Sequence, residues 1–214
     1  SNLESINLHD EITFIGERAF IYTALTEVNI PKKMTVLSVQ VFDSTRLKSI
    51  VIPDNITTIE ERAFCLCSNL ETVVIGDGVT TIGLCAFEIW ESSMKSVTLG
   101  KNVTTMANSV FDGCTGKLII TGNIPFTTSS SSSYQNGWLY GAKFSEIVIA
   151  DEVETIPNNA FYTTTSEVNK ITFGRGVKNI GKDIFRISPA EVHIKDLADW
   201  CNIDSQDDVL NGSK

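Results

Sequence analysis

A short apolar triplet recurs nine times along this chain of 214 residues, and its periodicity constrains the fold more than any other feature of the sequence. Successive triplets begin 22, 22, 23, 24, 21, 29, 24 and 21 residues apart. Their apolar–variable–apolar pattern, rich in β-branched residues, predicts a short strand. The triplets are Ile6-Asn7-Leu8, Val28-Asn29-Ile30, Ile50-Val51-Ile52, Val73-Val74-Ile75, Val97-Thr98-Leu99, Leu118-Ile119-Ile120, Ile147-Val148-Ile149, Ile171-Thr172-Phe173 and Val192-His193-Ile194.

A column of phenylalanines keeps the same phase. Seven of the 11 Phe lie fourteen residues after the start of a triplet, usually behind Ala or Val. A unit of this size cannot bury its apolar face alone, so we expect the units to stack as parallel strands about 4.8 Å apart, with the rings in one file. The seven are Phe20, Phe42, Phe64, Phe87, Phe111, Phe161 and Phe185.

The complete unit, L-x-x-I-x-I-P-x-x-[IV]-T-x-I-x-x-x-A-F, is best seen in residues 47–64. It resembles the BspA-like leucine-rich repeat family, named for bacterial surface proteins, and the resemblance covers nearly the whole chain. It implies a right-handed, β-rich leucine-rich-repeat solenoid with a parallel sheet of about nine short strands and little helix. After each strand we expect a turn, a short extended or 3₁₀ piece, and one helical turn near Ala-Phe.

The repeats predict a single domain over residues 1–203, with units starting near residues 3, 25, 47, 70, 94, 115, 144, 168 and 189. The sixth unit is longer and contains a Ser-rich insertion at 127–137, which we interpret as a surface loop. Trp138 or Leu139 is expected to restore the core behind it. Residues 204–214 form a polar tail, which is either a frayed cap or disordered.

Composition excludes several classes of function. The chain has 17 Lys and Arg against 26 Asp and Glu, a net charge of −9, which disfavours binding to nucleic acid. No apolar run approaches the roughly 20 residues that a membrane-spanning helix needs. We predict no cofactor and no metal.

One segment imitates a nucleotide-binding motif. Residues 176–182 match the P-loop string, but Asp183 stands where Ser or Thr would hold Mg²⁺. The same phase is ordinary repeat elsewhere, so we predict a turn and an extended piece. The glycines of these turns, Gly76 and Gly78 in one and Gly174 and Gly176 in another, are expected to supply a positive φ.

No residues form a recognisable catalytic set, so we predict that the protein is not an enzyme. His9 is expected in a turn and His193 on the exposed sheet face, and the Ser-rich insertion has no nearby His for a triad. Cys67 and Cys114 lie two units apart, too far for a disulfide, and fit as small buried side chains. A bridge between Cys65 and Cys85 stays open; the fifth cysteine is Cys201.

The central residues of the triplets should form one exposed column, apolar or β-branched over six units and polar at both ends. Such a strip can mark a protein-binding site, although β-branched residues also favour strands without any ligand. The flanking column carries Ser, Thr and mixed charges, while Trp90, Trp138 and Trp200 lie off the face. The candidate strip is Asn29, Val51, Val74, Thr98, Ile119, Val148, Thr172 and His193, with Asn7 before it.

The resemblance implies a secreted or cell-surface bacterial protein whose leader precedes the present sequence. The predicted function is non-enzymatic adhesion or binding to a host or bacterial surface protein. The alternative is a structural spacer within a larger surface protein. Open solenoid ends also permit end-to-end self-association.

Overall fold

Seven parallel strands form the main sheet of the molecule. The structure, a computed structural model, describes residues 2–122, 137–162, 168–185 and 189–195, and the backbone of 204 and 205. Each strand of the main sheet has four residues and pairs in register with its counterpart in the next repeat. The strands are β2 (Ser49–Ile52), β4 (Thr72–Ile75), β6 (Ser96–Leu99), β8 (Lys117–Ile120), β9 (Glu146–Ile149), β11 (Lys170–Phe173) and β13 (Glu191–Ile194).

Shorter strands occur later in most of the described repeats. They have two residues each and form two further parallel sheets. Threonines add bonds between turns here, because Thr57 Oγ1 donates to the carbonyl of Thr35 and Thr80 Oγ1 donates to that of Thr57. One sheet contains β1 (Val36–Leu37), β3 (Thr58–Ile59), β5 (Thr81–Ile82) and β7 (Thr105–Met106). The other contains β10 (Thr155–Ile156), β12 (Asn179–Ile180) and β14 (Asp204–Ser205).

The Ala-Phe segment forms a tight turn rather than the expected helical turn. The N–H of Phe42 donates to the carbonyl of Ala63 in the next repeat (2.9 Å), and Gln40 and Ser44, two residues to either side, donate in the same direction. These flanking positions adopt positive φ without glycine, as at Gln40 (53°) and Ser44 (58°). The bonds between turns hold the backbone in this less populated conformation.

The phenylalanine file is confirmed. Phe20, Phe42, Phe64, Phe87 and Phe111 stack with ring centroids 5.2 to 5.6 Å apart. Behind the long sixth unit, Trp138 and Leu139 are both buried. The N–H of Ser109 donates to the carbonyl of Gly137, and that of Gly113 to Gly141, so Leu139 lies at the Phe phase and Trp138 at the Ala phase. At this level of the core, Trp138 and Leu139 therefore fill the space that a small residue followed by Phe fills in the other repeats.

The first two predicted strands are missing from the main sheet, which has seven strands among the described residues rather than nine. Between the first two repeats, the side-chain amide of Asn29 makes bonds that backbone groups would otherwise make. Its Oδ1 accepts from the N–H of Leu8 (2.8 Å), and its Nδ2 donates to the carbonyl of Leu8 (2.6 Å). Asn side chains compete with backbone partners in this way, and here one replaces the ladder between the first two repeats.

The expectation about glycine conformation was wrong at the turns that follow the strands. The described glycines with positive φ are Gly113, Gly116 and Gly141, and the four turn glycines are absent from this set. A Cβ on Gly78 would lie 1.8 Å from the carbonyl oxygen of Asp54, and one on Gly176 would lie 2.0 Å from that of Asp151. Glycine is required there by the close approach of two turns.

Candidate functional site

The outer face of the main sheet brings the predicted strip together. Strand residues alternate between this face and the core, so each strand presents its central triplet residue and the residue two positions before it. The register aligns Val51, Val74, Thr98, Ile119, Val148, Thr172 and His193 in one column across the sheet. Asn29 lies outside this ladder, and its side chain bonds to Leu8.

The first three strands of the outer face carry no charge. We call this part the uncharged region; it consists of Ser49, Val51, Thr72, Val74, Ser96 and Thr98. Val51 is 63% exposed and Val74 is 40% exposed, whereas Thr98 is half-buried. Two adjacent valines thus present apolar surface to solvent, flanked by small hydroxyl side chains.

The last four strands carry alternating charges, and we call this part the ion-paired region. Glu146 lies between two lysines, with its carboxylate oxygens 3.0 Å from Lys117 Nζ and 3.8 Å from Lys170 Nζ. Farther along, Nε2 of His193 lies 3.0 Å from a carboxylate oxygen of Glu191. Both imidazole and carboxylate are exposed, as predicted for His193. The region consists of Lys117, Ile119, Glu146, Val148, Lys170, Thr172, Glu191 and His193.

A cleft of about 390 Å³ lies at the other end of the outer face, between the first two repeats. It is lined by Ile6, Asn7, Glu27, Val28 and Asn29. Asn7 and Asn29 were recognised in the sequence only as polar ends of the strip. The cleft itself escaped sequence reasoning, because the repeat pattern predicts a paired strand here and gives no sign of the bonds from the Asn29 amide to Leu8.

The cysteines whose side chains are described are free thiols, including the pair Cys65 and Cys85 left open above. Cys67 and Cys114 are fully buried, as expected, and their thiols lie within hydrogen-bonding distance of the carbonyls of Phe42 (3.2 Å) and Phe87 (3.0 Å). Burial raises the pKa of Cys67 to about 11 and also raises that of Cys114. These thiols are therefore poor nucleophiles at neutral pH.

Glu88 occupies the space between the other two thiols. Its Oε1 accepts from Nε1 of Trp90 (2.9 Å), and its Oε2 lies 3.9 Å from Sγ of Cys65. Burial, reinforced by this carboxylate, raises the pKa of both Cys65 and Cys85 to about 12. Across the described part of the chain, no three His, Cys, Asp or Glu side chains are arranged to hold a metal ion.

The remaining sequence motifs behave as repeat elements. The P-loop-like segment at 176–182 contains the strand β12 and its preceding turn. His9 is exposed, and its Nδ1 accepts from the N–H of Glu11 (3.2 Å). Trp90 is exposed away from the outer face and Trp138 is buried, while Trp200, Cys201 and the insertion up to residue 136 lie outside the described residues.

A family comparison agrees with the repeat geometry. The family model described as "BspA type Leucine rich repeat region (6 copies)" matches residues 1–117 and 123–196. The chain belongs to the BspA-type leucine-rich repeat family. Scaffolds of this family are typically non-enzymatic and mediate protein interactions. In the described residues of this BspA-type chain, no helix has the length and apolar character needed to cross a membrane.

Two solved structures share the fold. One is a leucine-rich repeat protein from Bacteroides ovatus, with a TM-score of 0.56 and 23% identity, over 83% of this chain and 45% of that one. The other is the pneumococcal vaccine antigen PcpA, with a TM-score of 0.52 and 17% identity, over 83% of this chain and 46% of that one. The present chain thus spans less than half the length of either. No curated protein matches the sequence.

Proposed function

We propose that this chain is a protein-binding module of a secreted or cell-surface bacterial protein and that it acts in adhesion. The partner binds the outer face of the main sheet, centred on the uncharged region. The observation that carries the proposal is the exposure of Val51 and Val74 side by side on adjacent, paired strands. Exposed apolar patches with a polar surround are typical of protein-interaction sites.

The ion-paired region supports the same location by contrast. Its carboxylates and cations already have partners within the sheet, so a ligand must break existing contacts to use them. In the uncharged region a partner displaces only water from valine side chains, which is favourable by about 25 cal/mol per Å² of apolar surface. The BspA-type family, named for bacterial surface proteins, supports the location outside the cell.

The proposal is tested by binding the fluorescently labelled chain to intact bacterial and epithelial cells and measuring saturation by flow cytometry. The double variant Val51→Lys/Val74→Lys places two charges in the proposed contact, and an unpaired charge is costly to bury. We expect saturable binding to weaken at least tenfold, on the order of the 1.4 kcal/mol that a tenfold change represents.

The matched control is Asn69→Lys/Ser93→Lys, which adds the same charge to exposed turns before β4 and β6. This variant should bind like the original chain. Saturable binding that survives Val51→Lys/Val74→Lys would move the site elsewhere. A complete lack of saturable binding to both kinds of cell would instead favour the spacer function.

A further inference from the structure

The cleft between the first two repeats combines a carboxylate with aliphatic walls. Ile6 and Val28 line the cleft and are half-buried, each also packing against the core, while the other lining residues, Glu27, Asn7 and Asn29, are exposed. Beside the cleft, the Asn29 amide bonds to both the N–H and the carbonyl of Leu8. These two bonds fix one of the lining residues to the neighbouring repeat.

Glu27 occupies the same repeat phase as Glu146, one position before the triplet. At Glu146 the molecule shows what such a carboxylate binds, since lysine ammonium groups of both neighbouring strands lie 3.0 and 3.8 Å away. The corresponding neighbours of Glu27 are Ser5 and Ser49. Within the described ranges, the Glu27 side chain makes no ion pair or hydrogen bond.

Lysines of the same and the following repeat interact with other carboxylates. Lys32 pairs with Asp10, and Lys33 pairs with Glu11. The charge of Lys48 acts on Glu71, whose pKa is held low mainly by its hydrogen bond with Lys95 and further by Lys48. Glu27 thus lacks the two neighbouring lysines that its counterpart Glu146 has. It lies beside a cleft whose aliphatic lining suits a methylene chain.

We propose that this cleft binds a lysine side chain of the protein partner, with Glu27 as the counter-ion and Ile6 and Val28 against the methylenes. The source of the lysine rests on the proposed function, because Asn29 directly precedes Val51 in the predicted strip and a partner on the uncharged region reaches the cleft. The ammonium site itself stands on its own geometry.

The site is tested without the partner by titrating the ¹⁵N-labelled chain with Nα-acetyl-lysine methylamide and following the amide resonances of Asn7 and Val28. We expect saturable shifts in the millimolar range. The norleucine analogue, which keeps the aliphatic chain and lacks the ammonium, should bind about threefold more weakly, in keeping with the modest strength of exposed ion pairs.

Glu27→Gln should reduce lysine-analogue binding to the level of the norleucine analogue. The matched control Glu152→Gln removes an equally exposed carboxylate far from the cleft in sequence and should leave binding unchanged. Ser49→Lys should also weaken binding, because it supplies the lysine that Lys170 provides beside Glu146. Equal binding of the two analogues, or full binding by Glu27→Gln, would overturn the site.

The cell-binding assay then separates this inference from the proposed function. If a partner lysine occupies the cleft, Glu27→Gln weakens saturable binding to cells while Glu152→Gln does not. If Val51→Lys/Val74→Lys abolishes cell binding but Glu27→Gln leaves it intact, the proposed binding function stands. The proposal that a lysine of the partner occupies the cleft is then wrong.

Discussion

The uncharged and ion-paired regions share one backbone, one register and one core, yet present different chemistry to solvent. In both, alternate strand residues are buried, and the inward columns meet the same stack of repeats. They differ at the first residue of each strand, where Ser49, Thr72 and Ser96 give way to Lys117, Glu146 and Lys170. Stacking of the repeats requires apolar residues at the inward positions of each strand. The residues at the outward positions can vary and are free to carry function.

The shared core predicts the largest effect. Phe64 stacks between Phe42 and Phe87 at 5.4 and 5.2 Å beneath the uncharged region. Phe64→Ala should lower the free energy of unfolding by about 3–5 kcal/mol, because the neighbouring rings cannot collapse into the cavity. Denaturant unfolding followed by circular dichroism measures the loss. The exposed Phe14 is the control, and Phe14→Ala should change stability by only about 0.5 kcal/mol. A loss at Phe64 no larger than at Phe14 would contradict a continuous file.

The buried thiols report whether the core is equally closed in the first and the last repeat of the uncharged region. Cys67 has a pKa of about 11 against a reference of 9.0, so its thiolate is scarcer by roughly a hundredfold, and burial blocks access as well. In native protein at pH 8, iodoacetamide should leave Cys67 and Cys114 unmodified, and both should react once the chain is unfolded. Peptide mass spectrometry measures each site. Rapid native labelling of Cys114 alone would show that the core opens near the long sixth unit.

The interior could be predicted from the sequence because stacking enforces it. Phe42, Phe64 and Phe87 occupy the same position of successive repeats. Because each side chain must pack against its equivalent in the next turn, few residue types and few orientations fit there. The same argument placed Trp138 or Leu139 in the core, and the structure uses both. The glycine prediction failed at Gly78, where the residue is needed because a side chain would clash with the neighbouring turn. A glycine required for a positive φ and one required for lack of space look the same in a sequence.

The candidate site was only partly accessible from the sequence. The column from Val51 to His193 follows from strand phase, and its register is confirmed. The cleft does not follow from phase, because Asn29 stands where Val51 stands in the next repeat and only its amide can replace a backbone ladder. Whether such a side chain bonds to water or to a neighbouring peptide depends on three-dimensional packing.

The equivalent glutamates provide a direct test of the difference between the regions. Glu146→Gln leaves Lys117 and Lys170 without their shared carboxylate and should lower the free energy of unfolding by about 0.5–1 kcal/mol. Glu27→Gln should have no measurable effect on stability, since no internal partner is lost. Thermal unfolding of both variants at low salt and in 1 M NaCl checks this, because salt screens exposed pairs. An equal loss for both variants would show that Glu27 has an internal partner after all.

The smallest effect concerns ion pairs in the turns, which occur in both halves of the solenoid. A hydrogen bond from Lys101 holds the pKa of Asp77 below its usual range, and Lys195 does the same for Asp151. A depressed folded pKa contributes stability that is present above the unfolded value of 3.8 and is lost as pH falls through the folded value. Lys101→Met should therefore be slightly less stable than the original chain at pH 6 and equal to it near pH 2.

Urea unfolding across this range measures the difference, with Arg46→Met as a control that removes a cation without such a bond. Because the Asp77 side chain is 44% exposed and its ion pair is weak, a large or pH-independent loss in Lys101→Met would mean that the lysine stabilises the turn through packing of its methylenes rather than through its charge.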